Sequence, residues 1–199
     1  MKSLHDFIVE PFGGRYTNEK KVGDKTLILN SEIAHHQFVN RIGVVKSLPL
    51  IGETDIKIGD QVIVHHNIFR RWHNIRGEEK NSKGYIDDKN YFCTFDQIYA
   101  YKRNNKWKPV KGYSFVKPIE SNDIFSLDKE QPLIGVLIYS DETNSELKEG
   151  DLVGFTPTSE YEFIINGERL YRVRSKNLTI KYEYQGKEKE YNPSWLQSS

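Results

Sequence analysis

Short strand-like runs rich in apolar residues, three to seven residues long and bounded by turn-forming residues, recur along most of the chain. They lie at 7–9, 27–29, 42–45, 61–64, 91–94, 98–101, 113–116, 134–138, 152–155, 161–165, 169–173 and 178–184. Apolar positions spaced for a helix are hard to find. Many short strands at this spacing predict an all-β protein, either a barrel or a sandwich.

The basic stretch 102–111 interrupts this pattern. It holds five Lys or Arg residues and no acidic residue, and its apolar side chains are Trp107, Pro109 and Val110. We interpret it as the boundary between two modules, one over 1–103 and one over 112–184, followed by a polar tail over 185–199. Asn166-Gly167, between two strand-like runs, predicts a tight hairpin in the second module.

The two modules share four segment pairs in the same order along the chain. Residues 7–11 match 115–118, 42–45 match 134–137, 56–62 match 147–153, and 96–102 match 176–181. In the third pair, glycine and aspartate form a turn before a strand. A repeated order favours a duplication, and the alternative is two unrelated β-modules with similar turns.

This ordered set resembles the GroES (chaperonin-10) family. The matching elements are the apolar triplet Leu27-Ile28-Leu29, the segment 41–45, the "K-x-G-D-x-V" segment 57–62 and the closing segment 91–101. The resemblance covers 1–103 more fully than 112–184. It implies two tandem GroES-like small β-barrels, and the divergence is more typical of a phage-encoded protein than of the double-module relatives in chloroplasts.

The chain departs from the family pattern in three places. The insertion 65–90 has no family counterpart, the second module has no clear mobile loop, and the segment 46–55, which would form the roof hairpin, is short.

The resemblance also implies a binding site. The loop 12–26 is rich in glycine and lysine, and Gly13, Gly14 and Gly23 would give it reach. Such a loop is mobile in the family, and its apolar triplet, here Leu27, Ile28 and Leu29, docks into a hydrophobic groove of the chaperonin. A segment that orders on binding gives moderate, reversible affinity. The alternative is a hairpin loop that leads into an ordinary core strand.

The insertion offers a second candidate contact. Arg70, Arg71 and Trp72 could meet phosphates and stack on bases. Acidic residues in the same insertion dilute that charge, so we favour a solvated loop that Phe69 and Trp72 anchor to the barrel. We do not expect nucleic-acid binding.

Several other classes of function lack support in the residues. The net charge is +1, so no global field attracts nucleic acid or a membrane surface, and no run is long enough to span a bilayer. Neither a catalytic constellation nor a nucleotide-binding motif is present, so we expect no enzymatic activity and no cofactor.

Histidine and cysteine give no better candidates. The adjacent pairs His35-His36 and His65-His66 would each offer one ligand, because neighbours on a strand face opposite sides, and we expect no metal site. The single cysteine, Cys93, lies in an apolar strand, which predicts a buried thiol and suits the cytoplasm of a host cell, or a virion.

The resemblance therefore implies a co-chaperonin-like lid, a homo-oligomeric ring that binds a GroEL-type chaperonin and assists protein folding. Its exposed edges would be residues 4–9 and 178–184. The alternative is a non-enzymatic structural protein, of a virion or an assembly, that keeps the barrel and has lost chaperonin binding. The two differ in whether the segment 12–29 stands apart or packs into the core.

Overall fold

The computed structural model describes residues 1–16, 19–22, 25–28, 38–121, 130–141, 143 and 145–183, and for 19–22 and 25–28 it describes the backbone only. The regular elements of this part of the chain are strands and short 3-10 turns, so the all-β class is confirmed. The chain forms two compact units, Met1–Lys106 and Trp107–Ser199. The division falls inside the basic stretch 102–111.

The first unit contains a six-stranded antiparallel sheet and two separate hairpins. The ten strands in chain order are β1 (Phe7–Pro11), β2 (Glu19–Val22), β3 (Lys25–Ile28), β4 (Ile42–Ser47), β5 (Gln61–Val64), β6 (Arg71–His73), β7 (Glu79–Asn81), β8 (Tyr91–Cys93), β9 (Ile98–Arg103) and β10 (Lys106–Pro109). The sheet order is β10-β9-β5-β4-β1-β8, while β2-β3 and β6-β7 form two-stranded sheets of their own. The compact units divide within β10, although β10 completes this first sheet.

The second unit contains the second six-stranded sheet. Its strands are β11 (Tyr113–Glu120), β12 (Glu130–Tyr139), β13 (Leu152–Phe155), β14 (Tyr161–Ile165), β15 (Glu168–Arg174) and β16 (Leu178–Tyr182). Their order is β14-β15-β11-β12-β13-β16. Asn166 and Gly167, at φ 54° and 82°, connect β14 to β15 in the hairpin that the sequence predicts.

Five strands are arranged alike in the two sheets. Five neighbouring strands of the first sheet correspond, in the same order, to five of the second: β9, β5, β4, β1 and β8 to β16, β13, β12, β11 and β15. The register also agrees, because Pro11 faces Gly43 in the first sheet and Pro118 faces Gly135 in the second. The strand pairing shifts register at the same place in the two equivalent strands, between residues 8 and 9 of β1 and between residues 115 and 116 of β11. All four segment pairs found in the sequence occupy equivalent positions.

The glycine–aspartate turn is the most closely repeated detail. The amide of Lys57 donates to Asp60 Oδ2 at 2.8 Å, and that of Lys148 donates to Asp151 Oδ2 at 2.7 Å. The intervening glycines, Gly59 and Gly150, have φ values of 90° and 94°, which side chains rarely tolerate. Each turn aspartate also pairs with a cation on the strand adjacent in the sheet, Asp60 with Arg103 of β9 and Asp151 with Lys181 of β16.

Two sequence expectations are wrong. The sheets are open, since within the described residues no hydrogen bonds join the end strands β10 and β8, or β14 and β16, whereas the prediction was closed barrels. Residues 4–9 do not form an edge, because β1 lies between β4 and β8. The strand β8 returns from the insertion and takes the outer side of β1. The other predicted edge, β16, pairs with β13 alone among the described strands.

No helix in the described part of the chain has the length and apolar character needed to cross a membrane.

Candidate functional site: the base of the β1–β4 loop and the insertion beside it

The predicted docking triplet lies in the loop between β1 and β4, residues 12–41. Leu27 and Ile28 belong to β3, where their backbones pair with Lys20 and Glu19 of β2. Among the described strands, this hairpin pairs with no strand of the first sheet. Leu29 and Gly23 lie outside the described residues, as do His35 and His36. The docking role of the triplet stays a prediction.

Asn40 closes the base of this loop. Its Nδ2 donates to the carbonyl oxygens of Phe12 and Gly14, each at 2.7 Å, and its backbone amide donates to the carbonyl of Arg15 at 2.9 Å. Gly13 and Gly14 have φ values of 82° and 139° and form the turn that Asn40 holds. Both glycines therefore belong to an ordered base.

Tyr16 connects the N-terminal side of the loop base, the segment that follows β1, to the insertion, residues 65–90. Its ring is 4% exposed, and its backbone bridges to Val39 on the returning side of the loop. The hydroxyl accepts from the amide of Arg71 at 2.9 Å and donates to the carbonyl of Arg71 at 3.2 Å. The Arg71 guanidinium also lies over the Tyr16 ring, 5.0 Å from its centroid.

Arg15 makes the second junction between loop and insertion. Its Nε donates to the carbonyl of Phe69 at 3.2 Å, and its Nη2 donates to Oδ1 of Asn81 at 2.7 Å. The guanidinium lies 5.6 Å and 5.5 Å from the ring centroids of Tyr85 and Tyr91. One charged group thus bonds to neutral acceptors and aromatic faces.

The insertion is itself fixed to the first sheet. Phe69 is fully buried and packs edge-to-face on Tyr91 with centroids 5.0 Å apart. Gly43 of β4 leaves room for it, because a Cβ there would lie 3.2 Å from Cζ of Phe69. Further along, the amide of Phe92 in β8 donates to the carbonyl of Gly84 at 2.6 Å. The predicted anchoring by Phe69 is confirmed.

Tyr91 lies at the centre of this packing. It is fully buried, and its hydroxyl has no hydrogen-bond partner among the described residues. Burial raises the pKa of Tyr91 to about 12, and the nearby Arg15 opposes that rise only in part. The phenol is therefore held neutral in a largely apolar environment.

The three predicted contact residues of the insertion have different environments. Arg70 is half-buried, and the Arg71 side chain is directed to Tyr16 and, at 3.9 Å, to Glu79. Trp72 is 38% exposed, so it is a weaker anchor than Phe69. Arg71 is thus committed to a contact within the chain, and only Trp72 presents a large apolar surface.

The histidine and cysteine expectations have mixed outcomes. His65 and His66 follow the end of β5, and their rings stack with centroids 4.3 Å apart, so the expected opposite orientation is wrong. Within the described residues, no three His, Cys, Asp or Glu side chains group as metal ligands would. Cys93 is fully buried, as predicted, and burial raises the pKa of its thiol.

Sequence reasoning missed the residues that close the loop base, Arg15, Tyr16, Asn40 and Asn81. The partners are far apart along the chain: Arg15 and Asn81 are separated by 66 residues. One signal was available, since an arginine and an aromatic residue directly follow two glycines in a polar loop.

A comparison of this chain with protein-family models and with curated proteins finds no match to either.

Proposed function

We propose that this chain is a non-enzymatic, co-chaperonin-like protein that binds a GroEL-type chaperonin through its β2–β3 hairpin. The observation that supports the proposal is the position of that hairpin. It lies between two adjacent strands of the first sheet, pairs with neither within the described residues, and departs from an ordered base. An apolar pair, Leu27 and Ile28, lies on its second strand.

The finer fold is part of the same proposal. We infer that each sheet is an open variant of a GroES-type module and that the chain arose by duplication. The common strand order and register of the two sheets support this inference. The open sheets differ from a closed barrel, but the two sheets still share one strand order, and the first sheet still has the long loop between β1 and β4.

Ring assembly belongs to the proposal as well. The end strand β16 exposes Ile180 (50%) and Tyr182 (36%), and an unpaired edge with apolar side chains tends to associate. A ring matters energetically because each apolar side chain supplies about 1.5–3 kcal/mol at most when fully buried. The cost of ordering the hairpin reduces this gain, so one chain binds weakly and a ring binds strongly through multivalency.

The test is the substitution Ile28→Asp in the full chain. We expect loss of nucleotide-dependent pull-down by a bacterial chaperonin and an unchanged thermal midpoint, because the proposal places Ile28 in a docking hairpin and outside the core. Thr26→Asp is the matched control, since it places the same charge on β3 outside the triplet, and we expect it to keep binding.

The structural alternative makes the opposite prediction. If the triplet packs into a core, Ile28→Asp buries a charge and lowers the thermal midpoint by several degrees. An early-melting variant, together with no binding by the unmodified chain, would contradict the co-chaperonin proposal and favour a structural role in an assembly.

A further inference from the structure

We infer that the insertion 65–90 is a brace that holds the base of the β1–β4 loop in a fixed orientation. Its contacts with the loop are the Arg15 bonds to Phe69 and Asn81 and the Tyr16 bonds to Arg71. What the loop binds rests on the proposed function, whereas the brace itself is a property of the free protein.

The brace connects two fixed points. At one end the insertion is anchored to the sheet by Phe69, packed over Gly43, and by the bond between Gly84 and Phe92. At the other end it bonds to the two residues that follow the glycine turn. The loop base is therefore attached to the sheet in two ways, by the covalent chain and by its hydrogen bonds to the insertion.

The contacts of the brace lie outside the hydrogen-bond ladders of the first sheet. Arg15 and Tyr16 precede the hairpin β2–β3, and their side-chain hydrogen bonds all go to atoms of the insertion. Removing one contact should free the loop base while the pairing of β1 with β4 persists. The brace thus differs from core packing, whose loss destabilises the whole sheet.

The second unit has a charged contact near the equivalent place, built in a different way. The insertion lies between β5 and β8, and the equivalent segment of the second unit, between β13 and β15, contains β14. There, Glu162 of β14 binds Arg169 at 2.9 Å, and Arg169 lies 2.6 Å from a carboxylate oxygen of Glu130. Glu130 begins β12, where the equivalent loop returns. In the second unit, the contact with the start of β12 is therefore made by Arg169 of β15 itself, and β14 supports that arginine through Glu162.

A braced base lowers the cost of binding. Hydrogen bonds within the chain hold residues 12–16 against residue 40, so a partner that binds the hairpin is not expected to bear the cost of fixing their backbone. Loosening the base restores that cost. The brace is therefore expected to set the affinity of the loop without touching the partner.

Two substitutions test the brace. For each one, we measure hydrogen exchange at a backbone amide whose own hydrogen-bond acceptor the substitution does not remove. Tyr16→Phe removes the hydroxyl bonds to Arg71, and the readout is hydrogen exchange at the Asn40 amide, bonded to the Arg15 carbonyl. Arg15→Lys removes the planar guanidinium, and the readout is exchange at the Arg71 amide, bonded to Tyr16. We expect at least tenfold faster exchange at these amides and no change at Val45 in the sheet. The control Ile75→Ser alters the fully exposed tip of the same insertion and should change neither.

Two results would overturn the inference. One is unchanged exchange at both reporter amides. The other is an equal acceleration at the reporters and at Val45, which would make these contacts ordinary contributors to sheet stability.

The binding arm uses the same variants with a bacterial chaperonin. We expect both brace variants to bind about tenfold more weakly than the unmodified chain, with Ile75→Ser unchanged. Weaker binding must accompany faster exchange, and equal affinity in all variants would refute the role of the brace in presenting the loop. If the unmodified chain binds no chaperonin, the proposed function fails, and the exchange experiment on the free protein still decides the brace.

Discussion

The two sheets share the order of five strands, but a tyrosine at one equivalent position has a different hydrogen-bonding environment in each sheet. Tyr91 faces Val9 across the first strand pair, and Tyr171 faces Val116 at the equivalent place in the second sheet. The Tyr91 hydroxyl is buried without a partner among the described residues, whereas the Tyr171 hydroxyl donates to Oε1 of Glu130 at 2.7 Å. The strand pairing thus fixes where each tyrosine lies in its sheet, and the segments packed around the tyrosine determine whether its hydroxyl has a hydrogen-bond partner.

Charge is the clearest difference between the two surroundings. Near Tyr91, Arg15 meets carbonyl and amide oxygens and two aromatic rings. Near Tyr171, Arg169 has a 7% exposed side chain and bonds to two carboxylates, Glu130 and Glu162. We expect the first sheet to lose less stability than the second when its arginine is removed, because the hydrogen-bond acceptors of Arg15 are neutral.

The largest expected effect comes from removing these two arginines. Arg169→Met leaves two carboxylates without their cation and should lower the free energy of unfolding by about 3–5 kcal/mol. Arg15→Met leaves only neutral, part-buried acceptors unsatisfied at the loop base, outside the sheet ladders, and should change the free energy of unfolding by at most about 0.5 kcal/mol. Chemical denaturation of both variants measures the difference.

Neutralising the acids supplies the control. Adding Glu130→Gln and Glu162→Gln to Arg169→Met should recover part of the loss, because no buried charge then lacks a partner. Equal losses for the two arginine variants would contradict the assignment of charge as the difference between the sheets.

The equivalent glycines give the next effect. A Cβ at Gly135 would lie 2.4 Å from the backbone carbonyl oxygen of Lys117, so the strands must separate. At Gly43 the nearest atom, 3.2 Å away, is at the end of the Phe69 side chain. Gly135→Ala should therefore cost about 2–3 kcal/mol and Gly43→Ala about 1 kcal/mol, measured by thermal unfolding. The reverse order would show that Phe69 cannot move.

The smallest effect separates the two tyrosines. Tyr171→Phe removes a bond to a charged carboxylate and should cost about 1–2 kcal/mol, whereas Tyr91→Phe removes a buried hydroxyl without a partner and should be neutral within about 0.5 kcal/mol. Urea unfolding of the two variants measures this pair of values. A cost for Tyr91→Phe as large as that for Tyr171→Phe would reveal a hydrogen-bond partner for Tyr91.

The pH dependence of Tyr91 gives an internal check. Its folded-state pKa is raised from 10.0 to about 12, so the fold favours the neutral phenol. Its contribution is fully present below pH 10 and is lost as the pH rises from 10 towards about 12. Tyr91→Phe should remove this part of the alkaline loss of stability.

The sequence was sufficient for the fold class and the repeat, because strand periodicity and turn residues are local signals. The turns at Gly59-Asp60 and Gly150-Asp151 are examples, since each is encoded within a few residues. Closure of the sheets was predicted incorrectly, because closure depends on which end strands meet, and strand patterns do not encode that. The edge at 4–9 failed for the same reason, since β8 comes from a distant segment.

The candidate site was predictable only in part. The anchoring role of Phe69 was recognisable from the sequence, whereas the docking role of the apolar triplet and of the loop glycines stays a prediction. The contacts of Arg15 and Tyr16 were not, because they join residues more than 50 positions apart and involve backbone atoms as well as side chains. Such pairs leave no local pattern in a single sequence.

The burial of Cys93 has a practical consequence for measurement. It is the only cysteine of the chain, it lies in β8 of the first sheet, and its side chain is fully buried. A thiol reagent can modify it only when that part of the protein opens, so the rate of modification reports the opening of the first sheet. The second sheet contributes no thiol, and a reagent present in excess therefore measures the opening of one sheet in the presence of the other.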